Sequence, residues 1–271
     1  MRATTRILEE DMGERTEYAP GTFAWVDLGT TDAEGAKAFY TAVFGWQGED
    51  MPAEDAGTYT MFRRQGAYVS GLYQQGEEER SLGIPPHWAS YVAVADADTA
   101  VARAAELGAT VHGGVIDVAD SGRLAIVQDP TGAVFALWQP RAHQGAGLVN
   151  AHGALSWNEL ATDDVDAARA FYGALFGWTI EPVDGPTPYF EIAHEGQRNG
   201  GMRPLGDEQT GTPPHWIVYF GVDSCAAGVA AAEAAGGRTV LPTMDLPIGR
   251  IAAVADPQGA VFALFEGTMD P

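Results

Sequence analysis

The sequence is short of several things, and each shortage excludes something. It has one cysteine, Cys225, in 271 residues, so an intramolecular disulfide and a cysteine-cluster metal site are both excluded. Lysine occurs once, at Lys37, and 15 basic side chains face 37 acidic ones, a formal net charge of −22. Such an acidic chain repels phosphate backbones and anionic lipid, so neither nucleic acid nor a membrane surface is an expected partner. No apolar run is long enough to span a bilayer. The opening MRATTRILEEDMGERTEY has no apolar stretch and no small-residue cleavage site, which predicts a cytoplasmic protein with no secretory signal. No Ser/His/Asp order, P-loop, GxGxxG or CxxC occurs. The chain is well supplied with core: 46% of residues are hydrophobic and 19% charged, which suits one large domain or two ordinary ones.

Self-comparison shows two halves. WVDLGTTDAEGAKAFYTAVFGW, from Trp25, returns as WNELATDDVDAARAFYGALFGW, from Trp157, at an offset of 132. PPHWASYVAV (Pro85) returns as PPHWIVYFGV (Pro213), and GRLAIVQDPTGAVFALW (Gly122) as GRIAAVADPQGAVFALF (Gly249). The offset shrinks to 128 and then 127, so small indels fall between the blocks. A repeat at this spacing means duplicated structural units. The boundaries read as an N-terminal arm (1–21), a first domain (22–140), a Gly/Ala-rich linker (141–152) and a second domain (153–267).

Within the first half, Phe23–Gly29 alternates as a strand does. Thr30, Thr31 and Asp32 offer N-caps to a helix over Ala33–Phe44, which Gly45 stops. Ala36, Phe39, Tyr40 and Val43 share one face of that helix. Tyr59–Arg63 and Ala67–Tyr73 read as strands joined at Gln65-Gly66. Trp88–Ala95 is a strand, and Asp96–Leu107 a helix ended by Gly108. Arg123–Gln128 and Ala133–Gln139 are strands joined by Asp129-Pro130-Thr131-Gly132, a turn in which proline presets φ and glycine accepts φ > 0. The second half repeats the pattern, with Asp223–Ala235 as its second helix. The fold class is α+β: four βαβββ units with helices outside curved sheets.

The helix-borne Phe39-Tyr40 and Phe171-Tyr172, each followed by FGW, and the Asp-Pro-x-Gly-Ala-x-Phe hairpins at Asp129 and Asp256 resemble the vicinal oxygen chelate superfamily. That superfamily contains glyoxalase I, bleomycin and fosfomycin resistance proteins and extradiol dioxygenases. The tandem arrangement with its PPHW and GR…DP blocks is similar to the actinobacterial CFP30B-like tandem glyoxalase group. The resemblance implies two tandem glyoxalase/bleomycin-resistance-like domains, in which paired modules close a cup around a ligand. It also implies that metal-using members hold a divalent ion with His and Glu or Gln on the cup strands. Here the first-strand His falls on Trp25 and Trp157, the last-strand Glu on Ala136 and Ala263, and the other His on Ala89 and Ile217; none of these can ligate. Asp27 with His87, or Glu159 with His215, would begin a site with two ligands, too few for tight binding. The expectation is no metal and no cofactor.

Strand parity puts Trp25, Asp27, Tyr91, Val134, Ala136 and Trp138 on one face, matched by Trp157, Glu159, Tyr219, Val261, Ala263 and Phe265. The face is an aromatic wall with one carboxylate per half. It suits a planar or aromatic metabolite or drug, cationic ones included. The same aromatic residues could equally be core. A buried carboxylate needs a partner, either Arg123 for Asp27 and Arg250 for Glu159, or a ligand. His87 and His215 share the face, or else fix the strand entrance. Tyr59 and Tyr189 match, with Glu191 beside Tyr189 opposite Met61, so the halves differ there. Cys225 sits near a helix N-terminus, where a thiol pKa can fall. Two functions from different classes follow: metal-independent binding of a small molecule, or catalysis with Asp27 or Glu159 as general base. A metal-dependent lyase, isomerase or dioxygenase is a third. Paired modules in one chain allow a monomer or a homodimer.

Overall fold

A computed structural model describes residues 13–53, 57–206, 209 and 211–268. The first half runs β1 (Phe23–Thr30), α1 (Ala33–Phe44), β2 (Gln47–Ala53), β3 (Gly57–Arg64), β4 (Ala67–Gln74), α2 (Glu77–Ser81), β5 (His87–Ala93), α3 (Ala97–Glu106), β6 (Thr110–Val118), β7 (Gly122–Gln128) and β8 (Val134–Pro140). The second runs β9 (Leu155–Thr162), α4 (Val165–Phe176), β10 (Thr179–Pro182), β11 (Phe190–His194), β12 (Gln197–Pro204), β13 (His215–Gly221), α5 (Cys225–Ala234), β14 (Arg238–Leu246), β15 (Gly249–Ala255) and β16 (Val261–Gly267). The fold is α+β, as expected.

Each half is one eight-stranded sheet, ordered β2-β3-β4-β1-β5-β8-β7-β6 and β10-β11-β12-β9-β13-β16-β15-β14. The central strands β1 and β5 run antiparallel, and each has a parallel neighbour, β4 or β8. Consecutive modules therefore pair edge to edge within a half. β1 is buried along its whole length, despite its alternating sequence. Both of its faces are therefore dry.

Local chemistry sets the helix ends. The Asp32 carboxylate accepts from Gly35 N at 3.0 Å, and Asp164 from Ala167 N at 2.9 Å. Gly45 and Gly177 close the two helices in the left-handed conformation, at φ 70° and 73°, which glycine adopts without penalty.

The halves interlock by exchanging helices. Phe44 and Trp46 lie 5.2 Å from the Phe220 ring of the second half. In return, Tyr172 packs 5.5 Å from Phe135 of the first. Tyr40 donates to Asp256 Oδ2 at 3.1 Å and accepts from Trp88 Nε1 at 3.0 Å. Tyr172 donates to Asp129 Oδ2 at 2.8 Å and accepts from Trp216 Nε1 at 3.0 Å. The other oxygen of each aspartate ties its own Asp-Pro-x-Gly turn. Trp46 and Trp178 donate across the join, to Gly153 O and Gly21 O, each at 2.7 Å. The FY, FGW, PPHW and Asp-Pro-x-Gly blocks are thus the parts of the join.

The 141–152 segment is more than a spacer. Arg141 N and His143 N both donate to Ser121 O, Ala146 N to Ala24 O, and Gly147 N to Tyr68 O. Ala146, Leu148 and Val149 enter the core. The segment forms a strap across the first sheet. The arm docks on it: Tyr18 donates to Ala146 O at 2.6 Å, and Val149 N to Gly13 O. Positions 1–12 lie outside the described residues.

Candidate functional site

Strand register assembles the first cup. Trp25 lies opposite Tyr91, Asp27 opposite Ala89 and Gly29 opposite His87. On the other side of β1, Asp27 is level with Gly71 and Gly29 with Tyr73. Asp27 is 3% exposed. Its Oδ2 accepts from Tyr91 at 2.7 Å and from Tyr59 at 3.1 Å, while its buried Oδ1 has no hydrogen-bond partner. Burial pushes this carboxyl up from the ordinary 3.8 to about 6, against the opposing effects of the Tyr91 and Tyr59 hydroxyls and His87, because desolvation penalises the charged form. Trp25 Nε1 donates to Tyr59 Oη at 3.0 Å. Gly71 makes the arrangement possible: a Cβ there would lie 1.8 Å from the Tyr59 hydroxyl.

The second cup repeats this frame with different chemistry. Glu159 is level with Gly201 and opposite Ile217. Trp157 donates to Tyr189 Oη at 2.9 Å, and burial with the nearby Glu159 charge pushes the Tyr189 and Tyr219 hydroxyls up. Gly201 leaves room for Tyr189 as Gly71 does for Tyr59. Glu159, however, has a cation. Arg203 Nε donates to Oε1 at 2.8 Å, and Arg203 Nη1 to Gln209 Oε1 at 2.8 Å. Arg203 is level with Ala161, as Tyr73 is with Gly29, so the two occupy matched positions. The first half has a phenol there instead, hydrogen-bonded to Glu79 at 2.9 Å.

Several sequence expectations need correction. Arg123 pairs with Asp98 and Asp117, and Arg250 with Asp245 and Glu266. Neither is the partner of Asp27 or Glu159, because both point to the helix side of the sheet. Cys225 is buried, and burial with the nearby Glu266 pushes its thiol up to about 11; helix position does not activate it. His87 and His215 stand at the strand entrances, where Nδ1 of each is within 2.9 Å of a proline carbonyl, Pro85 or Pro213. Glu191 faces Arg198 at 2.9 Å and adjoins Tyr189.

The aromatic residues divide by half. Trp25, Tyr91 and Trp138 are buried in the core. In the second half Tyr219 is buried, but Trp157 and Phe265 are half-buried. Sequence reasoning missed Arg203, Tyr73, His143 and the two glycines. The offset of 130 that matches Tyr59 to Tyr189 also matches Tyr73 to Arg203 and would have found that difference. His143 lies in the strap and has no counterpart in the repeat.

The residues at the expected metal positions do not fit a divalent ion. Trp25 lies opposite Tyr91, which in turn pairs with Ala136, and Ala89 faces Asp27. In the second half Trp157, Ile217 and Ala263 take those places. Tryptophan, alanine and isoleucine supply no donor. Among the described residues no three His, Cys, Asp or Glu side chains gather as a metal site would require, and no helix is long and apolar enough to cross a membrane.

Comparison with known proteins agrees with this fold. The model of the Glyoxalase/Bleomycin resistance protein/Dioxygenase superfamily matches residues 22–137, and that of a glyoxalase-like domain matches residues 158–265. The putative glyoxylase CFP32 of Mycobacterium tuberculosis (strain CDC 1551 / Oshkosh) is 42% identical over 262 residues, covering 94% of this chain and 98% of its own. The anthracycline biosynthesis protein DauV of Streptomyces sp. (strain C5) is 36% identical over 268 residues, 93% of this chain and 95% of its own. Among solved structures, the Mn(II)-bound glyoxalase from Novosphingobium aromaticivorans overlays with a TM-score of 0.63 at 17% identity, covering 92% of this chain and 83% of its own. The 2,3-dioxygenase LapB from Pseudomonas sp. KL28 gives 0.63 at 15%, covering 94% and 95%. At such identities these two speak for the fold alone.

Proposed function

This chain belongs to the Glyoxalase/Bleomycin resistance protein/Dioxygenase superfamily, and on that premise we propose that it is a metal-independent binder of a planar, aromatic small molecule. The observation that carries the reading is the content of the cups. The first holds a buried carboxylate tied by two tyrosine hydroxyls, and the second a buried carboxylate paired with an arginine, where metal-binding relatives of this fold would need imidazole and carboxylate ligands. Aromatic walls with a few fixed polar groups are the usual make-up of small-molecule sites. The similarity to DauV, an anthracycline biosynthesis protein, supports a planar aromatic ligand. The charge of −22 favours approach of a cation over an anion. Both modules of each cup come from one chain, so the reading needs no second copy. The test is isothermal titration with a planar aromatic ligand, with and without excess EDTA. Unchanged affinity supports the reading, and loss on chelation sinks it.

One observation favours a second reading, an enzyme with Asp27 as general base. Asp27 Oδ1 has no partner, and the group is held near 6, where it can accept a proton at neutral pH. In Asp27→Asn, an activity that depends on this base would fall while affinity for a neutral ligand stays. An activity that survives both Asp27→Asn and Glu159→Gln would rule out a carboxylate base in either cup.

A further inference from the structure

We infer that the second cup is the ligand cup, and that the first is filled by the chain's own His143. The inference rests on the binding reading above and goes beyond it by choosing one half and describing the ligand's pose.

The strap carries His143 into the first cup. Its imidazole stands edge-on to Trp25, 4.5 Å between centroids at 84°, and 5.7 Å from Trp138. Trp138 Nε1 donates to His143 O at 3.0 Å, and Ser121 O on the β6–β7 turn takes the His143 amide. Trp25 and Trp138 are then 3% and 5% exposed. The ring is held in place by backbone and side chain alike.

The matched residues of the second half are Trp157 and Phe265, at offsets of 132 and 127. Among the described residues no ring packs on Trp157, and both side chains remain half-buried. The turn matching Ser121 carries Ile248, which is 65% exposed. Register continues the apolar face outward. Phe265 pairs with Ile251, and Ile251 with Met244, which is 42% exposed. Apolar surface left wet on a concave face is costly unless something covers it.

His143 shows what covers it. A planar ring standing edge-on to Trp157, beside Phe265, reproduces in the second cup the contact that the imidazole makes in the first. At the polar end the ligand meets Glu159 and Arg203, whose charges cancel. An anion or a cation gains little there. The geometry therefore points to an uncharged or zwitterionic fused-ring compound with a carbonyl or hydroxyl at one edge, bound once per chain.

The test uses 1,4-dihydroxyanthraquinone as probe, followed by tryptophan quenching on the full chain. One site per chain is expected. Trp157→Ala should weaken it roughly tenfold or more, Trp157→Phe should restore most of the affinity, and His143→Ala should leave it unchanged. Hydrogen exchange of the wild-type chain with saturating probe should protect β9 and β16, and this reading stands even where a variant folds poorly. Affinity that survives Trp157→Ala, or protection confined to β1 and β8, overturns the inference while leaving the binding reading intact. A wild-type chain that binds no probe overturns both.

Discussion

Asp27→Asn should gain stability relative to the wild type as pH rises from about 5 to about 8. The wild-type carboxyl is displaced from the ordinary 3.8 to about 6 by burial. The folded chain therefore holds this proton more tightly than the unfolded chain does. Stability from this group is full below the ordinary value and falls as pH rises toward 6 and beyond, because the folded state must then ionise a buried acid. The whole displacement is worth about 3 kcal/mol at 1.36 kcal/mol for each tenfold change in proton affinity. With the pI near 4.4, the useful range begins at about pH 5. Between roughly pH 5 and pH 8 about 1 kcal/mol of the loss is still to come. Asparagine cannot titrate. Its unpaired amide N–H beside the Oδ1 position adds a cost, but that cost does not vary with pH. The assay is urea denaturation of wild type and variant at both pH values. The difference between them should shift by about 1 kcal/mol in favour of Asp27→Asn on going to pH 8. A constant difference would refute the claim that Asp27 is uncompensated.

Four more outcomes follow from the same geometry. Tyr172→Phe leaves Trp216 Nε1 without its acceptor and Asp129 Oδ2 without its donor, and should cost about 1–3 kcal/mol in denaturant unfolding while the halves still unfold in one transition. Arg203→Met leaves Glu159 buried and unpaired; the loss should be roughly 3 kcal/mol, and adding Glu159→Gln should recover much of it. Gly71→Ala puts a Cβ 1.8 Å from the Tyr59 hydroxyl, so Tyr59 must leave Asp27 and the Asp27 carboxyl, followed by NMR titration, should move above 6. Excess Mn2+ or Ni2+ should leave the melting temperature unchanged, since among the described residues no donor set gathers in either cup; a rise of several degrees would contradict this.

Much of the fold was legible because its signals are local. The α1 bounds, Ala33–Phe44, follow from the Asp32 cap and the Gly45 stop. The edge strands β2, β6, β10 and β14 were not legible. They are mostly wet and carry Gly, Pro or acidic residues, so no period-two pattern marks them, and β6 bulges at Gly113-Gly114. The repeated motifs were visible but easy to misplace. Phe39-Tyr40 and Asp129-Pro130 repeat because the join needs them twice, and the join is not the site. The two acids were found from strand parity. Tyr91, which donates to Asp27, shares that face; Tyr73 and Arg203 were missed, because β4 and β12 bring them to β1 and β9 through parallel pairing, which sequence distance does not reveal. His143 had no signal at all, since a strap's destination is set by tertiary hydrogen bonds.

A native mass spectrum of the purified, untagged chain, before and after adding 1,4-dihydroxyanthraquinone, tests the central claim most directly. The account predicts a 28.6 kDa species without a stoichiometric divalent ion that takes up one equivalent of the aromatic compound. A chain that retains one divalent metal per cup, or that binds the compound only when metal is present, would contradict it.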